Sequence, residues 1–148
     1  ETVKQLYETS PFWKERFDEA KVKPEDIKTW DDFRKRVPVF ELKGLFSRLL
    51  QMAEGDMTTA ISLLLGRPYS DLILMSATSG TTGMPTPYPY TPEGLDLITE
   101  WFARTGWRAG IRPGDAVLVG FGLSMFMGGV PLCFAMQKLG AMAIPAGA

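Results

Sequence analysis

Met75-Ser76-Ala77-Thr78-Ser79-Gly80-Thr81-Thr82-Gly83-Met84-Pro85-Thr86 is the stretch whose reading decides the fold. The apolar run Leu72 to Met75 leads straight into it and reads as a buried strand. Six small residues in succession, Thr78 to Gly83, then supply hydroxyls, backbone N–H groups and two glycines. A loop of this kind can wrap an anion, because glycine lets the backbone turn its N–H groups inward. The hydroxyls of Thr78, Ser79, Thr81 and Thr82 add donors for phosphate oxygens.

Downstream of the loop, Pro85, Pro87, Pro89 and Pro92 keep the chain extended, so Thr86 to Thr91 reads as an edge strand or an extended connector. Thr91-Pro92-Glu93 then starts a helix with Leu95, Ile98, Trp101 and Phe102 as its buried stripe, ending near Gly106 to Gly110. Arg112-Pro113-Gly114-Asp115 is a turn into an apolar strand, Ala116 to Val119. Phe126 to Lys138 suits a helix stopped by Gly140, and Ala141 to Ile144 is the next strand. Strand, glycine-rich turn, helix, strand is the βαβ pattern of a parallel, doubly wound sheet, so the fold class is α/β.

Upstream, Ser10-Pro11 is a helix start and Thr29 caps a short helix that Pro38 ends. Leu42, Leu45, Phe46, Leu49, Leu50 and Met52 repeat with helical period up to Gly55, and Asp56 caps a second apolar helix, Met57 to Leu65. The expected organisation is a mostly helical segment over 1–70. The first part of an α/β domain follows over 71–148, with its phosphate loop at 76–86.

Composition narrows the chemistry. Sixteen basic and 17 acidic residues among 148 give a net charge of −1, which favours neither nucleic acid nor an anionic membrane surface. The chain has no histidine, which excludes a Ser-His-Asp triad and a histidine metal site within it. One cysteine, Cys133, forms no internal disulfide, so a reducing, cytoplasmic setting is expected. The uncharged stretch Ala116 to Gln137 is broken by Gly120, Gly122, Gly128, Gly129 and Pro131 and reads as strand, loop and helix rather than a membrane span. The chain begins at Glu1 and stops after a strand-like run, as a piece of a longer protein would. Apolar patches that pack on the remainder would then be open to self-association, including a homo-oligomer.

Two phosphate signatures do not fit. A Walker loop needs a lysine and a hydroxyl residue after its last glycine, whereas Gly83 is followed by Met84-Pro85. A dinucleotide fingerprint opens a helix, whereas Gly80-x-x-Gly83 runs into prolines. The order Thr78-Ser79-Gly80-Thr81-Thr82-Gly83-x-Pro85 instead resembles the phosphate loop of the adenylate-forming superfamily. Flanking stretches are similar to its phenylacetate-CoA ligase branch. They include Ser10 to Phe17, Pro24 to Ile27, Trp30 to Phe33, Tyr90-Thr91, Gly110 to Asp115, Phe121 to Gly129, Lys138 to Ala141 and Ile144 to Gly147.

The resemblance implies a two-step ligase in the full-length protein. A carboxylic acid and ATP give an acyl-adenylate, with magnesium as partner ion, and coenzyme A then takes the acyl group as a thioester. Thr78, Ser79, Gly80, Thr81, Thr82 and Gly83 would hold the ATP phosphates. Phe121, Leu123 and Phe126 would line an apolar pocket for an aromatic, phenylacetate-like acid. The resemblance assigns no catalytic and no metal-binding residue to these 148 positions, so the piece alone is expected to be inactive. The family's loop lysine falls at the position of Met84 or of Thr86, so the loop here carries no cation of its own. Two alternatives stand beside the ligase: an adenylate-forming acyl transferase to a protein thiol or an amine, and a non-catalytic nucleotide-binding module.

Overall fold

The computed structural model describes residues 2–39, 44–78 and 85–147. The chain divides into two compact units, Glu1–Asp71 and Leu72–Ala148.

The first unit is helical. Its helices are α1 (Thr2–Thr9), α2 (Pro11–Glu19), α3 (Trp30–Arg36), α4 (Leu45–Met52) and α5 (Met57–Leu65), with 3-10 turns at Pro24–Asp26 and Tyr69–Asp71. Local capping sets most of the starts. Thr29 Oγ1 accepts from the Asp32 backbone N–H at 3.1 Å, and Asp32 returns the bond by accepting from the Thr29 N–H at 2.9 Å. Asp56 accepts from the Thr59 N–H at 2.8 Å and from the Thr58 hydroxyl at 2.7 Å. The Thr59 side chain first, then the Thr58 hydroxyl and the Thr59 N–H, hold the Asp56 carboxyl down at about 2.

Ser10 does more than cap. It accepts from the Trp13 N–H at 3.2 Å and donates to the Leu63 carbonyl at 2.7 Å, tying the start of α2 to the last turn of α5. Its side chain is therefore satisfied although Ser10 is only 1% exposed. Gly66 ends α5 in the left-handed region at φ 62°, and a Cβ there would collide with the Thr9 backbone. Phe12, Phe17, Leu45, Phe46, Leu49 and Ile61 are among the buried apolar residues around which the unit closes. α1 has no capping signature in its sequence and was not among the expected helices, while the expected start at Leu42 lies outside the described residues.

The second unit is α/β. Strand β1 (Leu74–Ala77) pairs antiparallel with β2 (Pro87–Tyr90), setting Ser76 opposite Tyr88 and Ala77 opposite Pro87. Helix α6 (Pro92–Arg108) follows, then β3 (Ala116–Val119), α7 (Val130–Leu139) and β4 (Met142–Pro145). β3 and β4 are parallel, with Ala116 opposite Met142 and Val119 opposite Pro145, so β3-α7-β4 is the expected βαβ unit. Ala77 also forms an isolated parallel bridge with Phe126, which brings the end of β1 to the loop after β3. Beneath these strands α6 and α7 pack with Ala135, Met136 and Ala141 at the centre and Phe102, Ile111, Val117 and Leu132 around them. Gly106 permits this approach: a Cβ on it would stand 3.1 Å from Met136 Cε.

Two expectations need correction. Trp101 is 61% exposed, and the buried face of α6 carries Thr99, Ala103 and Gly106 instead, with Phe102 partly buried beside them. At 100° per residue Trp101 points well away from the line through Thr99, Ala103 and Gly106. Thr99 tolerates burial because its hydroxyl donates to the Leu95 and Asp96 carbonyls, both at 2.9 Å. The last helix begins at Val130 rather than Phe126. Gly128 and Gly129 resist helix nucleation, whereas Pro131 suits the first turn.

Candidate functional site

The junction of β1 with the loop after β3 builds the candidate site, and it lies wholly within the second unit. The Ala77 N–H donates to the Met125 carbonyl, which fixes the loop against the end of the strand. One residue on, the Thr78 N–H donates to the Thr86 carbonyl at 3.0 Å and the Thr86 N–H returns a bond to Thr78 Oγ1 at 2.9 Å. This double bond pair closes the neck of the glycine-rich loop. Of the six expected phosphate-binding residues, Thr78 stands at this neck; Ser79, Gly80, Thr81, Thr82 and Gly83 lie outside the described residues.

Beside the neck is a cavity of about 410 Å³. Ala77 and Thr78 form one side, Phe121, Phe126, Met127 and Gly128 the second, and Tyr88, Phe102 and Leu132 the rest. Phe121 and Phe126 stand with ring centroids 5.6 Å apart and planes tilted by 38°. Glycine shapes this wall. A Cβ on Gly128 would come within 2.8 Å of Phe126 Cε1, and one on Gly129 would collide with the Gly122 carbonyl. The loop can therefore fold back on itself and present both rings only with glycine at these places.

Thus the structure brings Phe121, Phe126 and Thr78 to one cavity. Leu123 is 39% exposed and is not among the residues lining it. Tyr88, Phe102 and Leu132 complete the lining without having been singled out from the sequence. Phe102 was legible only as a helix-stripe residue and Tyr88 only as part of a proline-spaced extended run. Among the described residues no lining residue is charged, so the cavity suits a neutral, apolar group. Nearby, burial pushes the Tyr90 hydroxyl up from its ordinary value, and a hydrogen bond with Ser76 partly opposes this. Among the described residues no group of three or more His, Cys, Asp or Glu is placed to hold a metal ion, and no helix is long and apolar enough to cross a membrane.

The strand, the signature it leads into and the α/β architecture behind them define an adenylate-forming fold. Residues 20–115 match the GH3 family N-terminal domain. The phenylacetate-coenzyme A ligase of Escherichia coli (strain K12) is 33% identical over 144 residues, covering 97% of this chain and 30% of that protein. Its counterpart from Aromatoleum evansii is 30% identical over 145 residues, with the same coverage. An open conformation of 2-hydroxyisobutyryl-CoA ligase, in complex with 2-HIB-AMP and CoA, superposes with a TM-score of 0.82 at 32% identity. That match covers 99% of this chain and 32% of the ligase. The chain belongs to the GH3 family, in the phenylacetate-CoA ligase-like branch of adenylate-forming enzymes. It spans about 30% of the length of the relatives it matches.

Proposed function

We propose that this chain is the acid-binding and phosphate-loop portion of an ATP-dependent carboxylate-CoA ligase that activates an aromatic, phenylacetate-like acid. The observation that carries the reading is the shared wall of the cavity: Phe121 and Phe126 line it together with Thr78, the first residue of the phosphate-loop signature. A ring held between the aromatic side chains would keep its carboxylate beside the loop that takes the ATP phosphates. Holding both reactants in one geometry is itself a large part of catalysis of such a step. A cavity of about 150 Å³ accepts benzene; one of about 410 Å³ has room for a ring and its side chain.

In this reading Thr78, Ser79, Gly80, Thr81, Thr82 and Gly83 donate hydrogen bonds to the phosphates as charge redistributes at the α-phosphorus. With Met84 and Thr86 where a lysine would stand, the loop works by neutral donors, and further cations come from magnesium or from elsewhere in the full-length protein. Chemistry and thioester formation then need groups outside these residues, so the 148-residue chain alone would not turn over. We propose likewise that 1–70 is a mostly helical segment of the full-length protein and 71–148 the first part of its α/β AMP-binding domain.

ATP–pyrophosphate exchange by the full-length protein with a panel of aromatic acids tests the reading. Acid-dependent exchange is expected, followed by a product that requires coenzyme A. Absence of exchange with every acid would sink it in favour of a non-catalytic nucleotide-binding module. Acid-dependent exchange with an acylated product that forms without coenzyme A would favour acyl transfer to a thiol or an amine.

A further inference from the structure

We infer that Tyr88 is a specificity-determining residue that recognises a neutral hydrogen-bonding substituent, a hydroxyl or amino group, on the ring of the bound acid. The inference rests on the acid-binding reading above and deepens it. Tyr88 lines the same cavity as Phe121 and Phe126. Its hydroxyl makes no hydrogen bond with any described residue. Ser76 stands opposite Tyr88 in the strand register, and no hydrogen bond joins the two hydroxyls. Among the described residues no buried side-chain oxygen or nitrogen lacks a partner, so the Tyr88 hydroxyl is not sealed in the core but reaches accessible space.

The other polar side chain on the cavity wall is Thr78, and its oxygen already accepts the Thr86 N–H. Among the described lining residues, Tyr88 therefore keeps both donor and acceptor capacity, while the O–H of Thr78 is the donor assigned above to the phosphates. A substituent that hydrogen-bonds to it would satisfy both groups away from water. An unsubstituted ring would leave the phenol facing apolar surface. An ionised ring substituent would be buried without a counter-charge, since none of the described lining residues is charged, and would be rejected.

The test uses the full-length protein and acid-dependent pyrophosphate exchange with phenylacetate and its three ring-hydroxylated isomers. The readout is the ratio of kcat/KM for each hydroxylated acid to that for phenylacetate, in the native protein and in Tyr88→Phe. The expected result is that Tyr88→Phe lowers the ratio roughly three- to tenfold for at least one isomer, through KM, as loss of one neutral hydrogen bond predicts. Phenylalanine keeps the ring and removes only the hydroxyl, so the cavity wall stays in place. Exchange with phenylacetate and with the isomers at ratios that Tyr88→Phe leaves unchanged would overturn this inference and leave the acid-binding reading standing. Exchange with none of the four acids would overturn the phenylacetate-like reading and this inference with it.

Discussion

The two units of this chain are stabilised by different means. In the first, the determining contacts are made by side chains a few residues from the backbone they satisfy: Thr29 and Asp32, Asp56 and Thr59, Ser10 and Trp13. In the second, backbone meets backbone: β3 on β4, Ala77 on Met125 and, within one loop, Gly129 folded against Gly122. Side-chain caps tolerate substitution because water can replace part of what they supply. Backbone approach permitted by glycine tolerates none, because an added Cβ has no rotamer by which to move away. The candidate site is built by the second means, so its shape and the stability of its loop stand or fall together.

That contrast can be broken experimentally, starting with the largest effect. Gly129→Ala forces the 120–129 loop off the Gly122 carbonyl, an overpacking cost of about 1–3 kcal/mol. It should lower the urea midpoint of the second unit, followed by hydrogen exchange in α7, and also raise KM for the acid in the full-length protein. A native-like midpoint would show that the loop has another conformation open to it. Ser10→Ala removes a cap and leaves the Leu63 carbonyl without its donor, for about 1–2 kcal/mol. The loss should appear in unfolding of the first unit with KM for the acid unchanged. A change in KM would break the comparison.

The smallest effect is a pH dependence. The Asp56 carboxyl is held below its ordinary 3.8, at about 2, in the folded chain. The stability it contributes is therefore present above its unfolded value and is lost as pH falls through that interval towards about 2. Asp56→Asn should flatten the acid limb of the unfolding curve followed by circular dichroism between those two values. An acid limb of unchanged slope would mean that α5 does not depend on the charged cap.

Legibility in the sequence followed the same division. Met57–Leu65 and Ala116–Val119 were readable to the residue, the helix because Asp56 and Gly66 mark its two ends, the strand because a Pro-Gly turn and Gly120 bracket it. The start of α7 was misplaced because Phe126 and Met127 have helical apolar spacing while the two glycines after them decide otherwise. Trp101 was misassigned because an aromatic residue is presumed buried until the face it occupies is known.

By itself the sequence determined the α/β class, the caps of the first unit and the signature that places the chain in its family. These are local in origin: hydroxyls within three residues of an N–H, glycines at turns, an ordered motif of eight positions. Only the tertiary structure decided that Thr78, Tyr88, Phe102 and Phe126, spread over 49 residues of chain, share one cavity, and that Leu123 stands apart from it. No periodicity encodes such a meeting, because it arises when the β1 end bridges to Phe126 and α6 packs on α7. Nor could the sequence show that Tyr88 is set opposite Ser76, since that register is chosen across a strand pair.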